Sequence, residues 1–131
     1  MTVADACILI VEDEALIALA LSDLVEGLGL RVCGTAATAL RAIQLAEQHR
    51  PMLVLMDVRL KGKEDGVFAA QEIHRQYLAP VVFITGSREQ ETIDRINQDH
   101  PAEVLFKPII PQQLEASIRK LVAGTAGGGP S

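Results

Sequence analysis

Short apolar runs alternate with helix-periodic segments along the chain. The runs at 7–11, 52–56 and 81–84 are continuously apolar, whereas a strand with one face in water alternates apolar and polar residues. Continuous runs of this kind are typical of parallel strands that are covered on both faces. Two weaker runs, at 31–34 and 104–106, complete a set of five predicted strands.

Between these runs, apolar residues recur at steps of three and four, which places them on one face of a helix. Gly27 and Gly29 are predicted to end the first of five helices. Pro51 limits the second, Asp65 is a predicted N-cap of the third, and Pro111 begins the fifth. The apolar residues that mark the five helices are, in chain order, Ile17, Leu21, Leu24 and Leu28; Leu40, Ile43 and Ala46; Val67, Ala70 and Ile73; Ile93 and Ile96; and Leu114, Ile118, Leu121 and Val122.

The strict alternation of strand and helix predicts an α/β fold of the doubly wound (βα)5, flavodoxin-like class. Right-handed crossovers give a parallel five-stranded sheet with helices on both faces, and the expected strand order is 2-1-3-4-5. We expect residues 1–123 to form one domain. Residues 124–131 are rich in glycine and are expected to form a flexible tail.

Charge and length disfavour several functions. The chain has 131 residues and a net charge of −5, which disfavours direct binding to nucleic acid or to an anionic membrane surface. It contains no apolar run of the roughly 20 residues that span a bilayer. The first residues carry an acid and no basic group, unlike a secretory signal peptide, so the expected location is the cytoplasm.

The cysteines and histidines give no sign of a metal or redox site. Cys7 and Cys33 fit no metal-ligand or redox spacing, and we expect both to be buried and reduced. His49, His74 and His100 lie in polar or helical contexts without metal-ligand spacing, and we expect them on the surface.

Candidate chemistry gathers where the strands end. The carboxyl ends of parallel strands meet at one edge of a sheet, where ligands bind. Glu12 and Asp13 follow the first strand and Asp57 the third. Thr85 follows the fourth strand and Lys107 the fifth. Clustered carboxylates repel one another unless a cation relieves the charge, and oxygen ligands favour Mg²⁺. A third carboxylate can then act as a nucleophile towards phosphorus, with Lys107 and Thr85 stabilising the transferred group.

The sequence resembles the response-regulator receivers of two-component systems. The resemblance runs from about Cys7 to Val122, and its motifs are 10–14, 55–60, Asp65-Gly66, 84–86 and Lys107-Pro108. It implies a single-domain regulator that signals through the face formed by the fourth helix, fifth strand and fifth helix. The implied partners are a sensor histidine kinase or phosphotransfer protein and a downstream protein. A monomer or weak dimer is expected, with no enzymatic activity beyond the chain's own phosphorylation and dephosphorylation.

The resemblance also assigns roles to individual residues. Asp57 is implied to accept a phosphoryl group from a phosphohistidine. Glu12, Asp13, Asp57 and the backbone carbonyl of Arg59 are implied to hold Mg²⁺. Thr85 and Lys107 are implied to contact the phosphoryl oxygens. The bond between Lys107 and Pro108 is expected to be cis, as is usual in the family.

Three positions depart from the family pattern. Val104 stands three residues before Lys107, where the family often has the aromatic residue that acts as a switch. Gly86 replaces a common alanine and should open access to the site. Arg59 places a long cation beside the acceptor.

Phe106 is expected to lie in the core, because alternation along the strand turns it away from the face of Leu105.

Other interpretations stay open. Glu12, Asp13 and Glu14 are also typical of a helix N-terminus, and Asp57 of an ordinary turn. A haloacid-dehalogenase-like phosphatase would need a second acid at Arg59, and a flavin module would need a phosphate-binding loop where the acids lie. The chain is also compatible with a receiver cut from a hybrid kinase or a larger regulator, or with a phosphoryl shuttle or sink that has no output of its own.

Overall fold

A computed structural model describes residues 6–126 and confirms the alternation of five strands with five helices. All strands are parallel and lie in the order β2-β1-β3-β4-β5, as expected for the doubly wound fold. Among the described residues, no helix is long and apolar enough to cross a membrane. The elements are β1 (Cys7–Val11), α1 (Ala15–Gly27), β2 (Arg31–Ala36), α2 (Ala39–His49), β3 (Leu53–Asp57), α3 (Gly66–His74), β4 (Val81–Thr85), α4 (Gln90–Asn97), β5 (Glu103–Phe106) and α5 (Pro111–Ala126).

The sheet separates two apolar cores, because successive side chains of a strand point to opposite faces. In β1, Ile8 and Ile10 pack with residues of α1 and α5, whereas Leu9 and Val11 pack with residues of α2, α3 and α4. The three inner strands β1, β3 and β4 are buried along their whole length. Their continuous apolar runs therefore reflect burial on both sides.

The helices begin and end close to the predicted signals. The Asp65 carboxylate accepts a hydrogen bond of 3.0 Å from the Phe68 amide, which confirms Asp65 as the N-cap of α3. α5 continues to Ala126, so the backbone of residues 124–126 is helical where a tail was expected to begin. One glycine in a helix costs only about 1 kcal/mol relative to alanine, so Gly124 does not stop it. Residues 127–131 of the expected tail lie outside the described residues.

Two expectations about cysteine and histidine were wrong. Cys7 of β1 is buried as expected, but it is not reduced. A disulfide joins it to Cys33 of β2, because the parallel pairing of these neighbouring strands brings the two side chains together. His74 is largely buried rather than exposed. Its Nδ1 lies 2.7 Å from Asp99 Oδ2 and its Nε2 lies 2.7 Å from the Ala79 carbonyl. These contacts fix the end of α3 against the loops before β4 and β5.

Candidate functional site

The carboxyl ends of four strands meet at one open cleft of about 650 Å³. Asp57 is the last residue of β3 and Thr85 the last of β4. Lys107 follows β5 directly, and Asp13 comes two residues after the end of β1. These four predicted site residues all line the cleft. Glu12 lies beside them as the residue that follows β1 and is buried.

Lys107 connects three of the strand ends. Its Nζ donates hydrogen bonds of 3.1 Å to Asp57 Oδ2 and 3.2 Å to Glu12 Oε1. Its backbone N–H donates to the Thr85 carbonyl at 2.8 Å. Burial disfavours the charged ammonium, but the hydrogen bonds and charges of Asp57 and Glu12 outweigh burial and raise the pKa of Lys107. The lysine is therefore held as a cation, and the peptide bond to Pro108 is cis, as expected.

The carboxylates form a compact oxygen cluster. Glu12, Asp13 and Asp57 each offer one oxygen, and these three atoms lie within 4.8 Å of one another. Burial, together with the negative charge of Asp57, raises the pKa of Glu12 to about 7. Hydrogen bonds from the Glu14 amide and from Lys107 act in the opposite direction but are outweighed. Hard, closely spaced oxygen donors suit Mg²⁺ better than softer metals. The three residues thus fit the divalent cation that the sequence predicts.

Thr85 is buried, and its hydroxyl oxygen accepts a hydrogen bond of 3.0 Å from the Ser87 amide. A hydroxyl can accept and donate at once, so its proton is available to a group in the cleft. Gly86 follows at an exposed position, and a Cβ there would meet nothing within 4 Å. The protein itself therefore does not require glycine at this position, although a side chain would stand beside the cleft.

Two arginines line the same cleft. Arg59 was expected there, and its side chain is exposed. Arg88 also lines the cleft, although it is not among the site residues predicted from the sequence. Its Cζ lies 4.3 Å from the centroid of the Phe106 ring. The expectation that Phe106 lies in the core was wrong, because the ring is half-buried, packs in neither core and is covered by Arg88. No sequence signal pairs these two residues, since the loop conformation brings them together.

Gly66 packs closely against the backbone of Asp57. Its backbone N–H donates a hydrogen bond of 2.7 Å to the Val58 carbonyl. A Cβ on Gly66 would collide with the backbone carbonyl oxygen of Asp57. Asp65 caps α3 as predicted, and Gly66 lets α3 begin directly against the end of β3.

Comparison with known proteins gives consistent matches. The response regulator receiver domain family matches residues 8–119. The transcriptional regulatory protein PdtaR of Mycobacterium tuberculosis is 35% identical over 116 residues, which are 88% of this chain and 56% of that protein. The phyllosphere-induced regulator PhyR of Methylorubrum extorquens is 39% identical over 112 residues, 85% of this chain and 41% of that protein. The chain thus spans about half the length of these relatives.

A solved structure agrees with this assignment. The solution structure of the REC domain of the PhyR response regulator of Erythrobacter litoralis superposes with a TM-score of 0.81 at 32% identity. The match covers 96% of this chain and 95% of that chain. The likeness therefore extends over nearly the whole fold.

Proposed function

Because this chain belongs to the response regulator receiver family, we propose that it is a phosphorylation switch whose acceptor is Asp57. The observation that carries the proposal is the contact of 3.1 Å between Lys107 Nζ and the Asp57 carboxylate at the cleft. The acceptor therefore has a fixed cation on one side and open space for a phosphoryl donor on the other. Thr85 supplies a hydroxyl at the next strand end.

In the proposed reaction, a carboxylate oxygen of Asp57 attacks phosphorus while the bond from phosphorus to a donor imidazole nitrogen breaks. The electron pair of that bond stays on the imidazole, which takes a proton from water. Lys107 and the Thr85 hydroxyl are placed to stabilise the charge on the transferred oxygens. The chemistry of the chain is limited to its own phosphorylation and dephosphorylation.

Glu12, Asp13 and Asp57 would hold Mg²⁺, with the backbone carbonyl of Arg59 as a further oxygen ligand. When bound, the ion offsets the negative charge of the carboxylates and of the phosphoryl oxygens. The support for this part of the proposal is the spacing of the three carboxylate oxygens, which all lie within 4.8 Å of one another. A cation at this point also relieves the repulsion between the buried Glu12 and Asp57.

The proposed donor is a phosphohistidine on a sensor histidine kinase or a phosphotransfer protein. The output is proposed to pass through the face formed by α4, β5 and α5 to a protein partner. The loop that follows Thr85 leads directly into α4, so a new charge at Asp57 acts close to that face. A receiver acting alone and a receiver within a longer protein would use the same site. A receiver that only passes on or drains phosphoryl groups would use the same site but would have no downstream protein partner.

Intact-mass measurement after incubation with Mg²⁺ and a small acyl phosphate tests the acceptor. We expect one phosphoryl adduct that is stable in acid and labile in base. It should be absent from Asp57→Asn and from a sample with chelator. Asp23→Asn, which removes an exposed acid of α1, is the matched control and should keep the adduct.

Two results would contradict the proposal. An adduct that persists in Asp57→Asn would assign the acceptor to another residue. If the folded chain takes up no phosphoryl group from either an acyl phosphate or a phosphohistidine donor, the proposed phosphorylation switch is excluded. Phosphorylation without any change in the chemical shifts of α4, β5 and α5 would favour the shuttle over the signalling role.

A further inference from the structure

Arg88 stacks on an aromatic ring at the rim of the proposed phosphorylation site. Its guanidinium carbon lies 4.3 Å from the centroid of the Phe106 ring, within the range of a cation–π contact. Arg88 is exposed and lies in the loop between β4 and α4. Within residues 6–126 it forms no salt bridge. In this part of the chain, its guanidinium is held by the contact with the Phe106 ring.

The backbone of Phe106 lies next to the site. Phe106 is paired with Thr85 in the register of β4 and β5, and the next residue is Lys107. Arg88 lines the same cleft as Asp57, Thr85 and Lys107. A guanidinium that leaves the ring therefore stays within the region where the phosphoryl group would be attached.

The charge balance of the cleft favours such a movement. Lys107 already pairs with both Asp57 and Glu12. Phosphorylation replaces the single negative charge of the Asp57 carboxylate with close to two on the phosphoryl group, a net gain of about one, and adds three strong acceptor oxygens. Guanidinium binds such oxygens through paired, charge-assisted hydrogen bonds, which are stronger than an exposed cation–π contact. The new charge therefore competes successfully with the ring for Arg88.

We infer that Arg88 is a phosphoryl-sensing arginine, held on Phe106 in the unphosphorylated chain and transferred to the phosphoryl oxygens when Asp57 is modified. This inference rests on the function proposed above. It gives the chain a switch at a position other than the usual aromatic site, which Val104 occupies. Movement of Arg88 also reaches α4, since the Ser87 hydroxyl next to it accepts from the Glu89 amide and donates to Thr92.

Binding of beryllofluoride, a stable mimic of the phosphoryl group, tests the inference at a fixed Mg²⁺ concentration. The affinity is measured by ¹⁹F NMR for wild type, Phe106→Leu, Arg88→Gln and the double variant. Removing the ring frees Arg88, so Phe106→Leu is expected to bind about two- to threefold more tightly. Arg88→Gln is expected to bind about tenfold more weakly. In the Arg88→Gln background, Phe106→Leu should change nothing.

Arg59→Gln provides the matched control, because Arg59 lines the same cleft without an aromatic contact to Phe106. The gain from Phe106→Leu should persist in that background. Phe106→Met is a second variant without the ring, and urea unfolding shows that each variant is folded. In ¹H NMR, the ring signals of Phe106 should move on beryllofluoride binding more in wild type than in Arg88→Gln.

The inference is overturned if Phe106→Leu leaves the affinity unchanged or lowers it, or if its gain persists in the Arg88→Gln background. These results can occur only while wild type binds beryllofluoride with Mg²⁺. If wild type does not bind it at all, the proposed phosphorylation site fails first and this inference fails with it.

Discussion

Arg95 of α4 binds both carboxylate oxygens of Asp65, the residue that caps α3, with distances of 2.8 Å from Nη1 to Oδ2 and 3.2 Å from Nη2 to Oδ1. Asp65 also accepts from the Phe68 amide. Burial disfavours the carboxylate, but these hydrogen bonds outweigh burial and lower the pKa of Asp65 from its ordinary value of 3.8. The pair therefore joins α4 to the segment that leads away from Asp57.

Removing Arg95 should cost a modest amount of stability and change its pH dependence. Arg95→Gln is expected to lose about 0.5–1 kcal/mol at neutral pH, because the pair is partly exposed. A lowered folded pKa contributes stability above the unfolded pKa, and this contribution disappears as the pH falls through the folded pKa. The free energy of unfolding in urea should therefore change less in the variant than in wild type between neutral pH and a pH well below 3.8.

The control for this pair is Arg75→Gln, which removes an exposed ion pair between Glu72 near the end of α3 and Arg75 directly after it. It should cost no more than about 0.5 kcal/mol. Equal losses in the two variants would mean that the Asp65–Arg95 contact has no special role. A larger loss for Asp65→Ala, by about 1 kcal/mol, is expected because this change also removes the helix cap.

Mg²⁺ should stabilise the folded chain through the carboxylate cluster. At ten times its dissociation constant, an ion that binds only the folded state adds about 1.4 kcal/mol. Asp13→Asn should weaken this effect, because Asp13 supplies one of the three clustered oxygens. Thermal unfolding over a Mg²⁺ titration measures the change. Asp23→Asn should respond like wild type, and an equal response in Asp13→Asn would exclude Asp13 as a ligand.

Gly66→Ala should destabilise the fold and disturb the acceptor. The added Cβ would collide with the Asp57 carbonyl oxygen and lie 3.0 Å from Met56 Cγ. Overpacking of this kind typically costs about 1–3 kcal/mol. Gly27→Ala in α1 is the control, since nothing lies within 4 Å of its Cβ, and it should be neutral or stabilising by up to about 1 kcal/mol. Urea unfolding compares the two, and equal stability of both variants would contradict the close contact.

Reduction of the disulfide between Cys7 and Cys33 should lower the free energy of unfolding. The linked residues are 26 positions apart, and a loop of this size contributes about 3.5 kcal/mol in the chain-entropy model. Urea unfolding with and without a thiol reductant measures the loss, and Cys33→Ser should be insensitive to the reductant. Two free thiols in native protein prepared without reductant would show that the bond does not form.

The fold could be predicted from the sequence because its signals are local. The inner strands are continuous apolar runs, and each helix carries an apolar stripe between recognisable start or stop residues. The strand order then follows from short right-handed crossovers. Since parallel strands end at one edge, Asp57, Thr85 and Lys107 could be expected together before any distance was known.

The remaining features depend on tertiary register. Cys7 and Cys33 meet because the pairing of β1 with β2 shifts between Ile8 and Leu9, which no spacing rule encodes. His74 contacts Asp99, which lies 25 residues further along the chain. Arg88 reaches Phe106 only through the path of the loop after β4. Each contact joins a local element to a distant one, so local patterns could not indicate it.

The division of the interior by the sheet makes the two sides of the protein energetically separate. Leu21 and Ile118 pack on one side, and Ala42 and Ile73 on the other, with the strands between them. Substitutions at distant sites that share no partner usually have additive effects on stability. One side can therefore diverge in sequence, or be redesigned for a new partner, without a compensating change on the other, while the strand ends keep the acceptor in place.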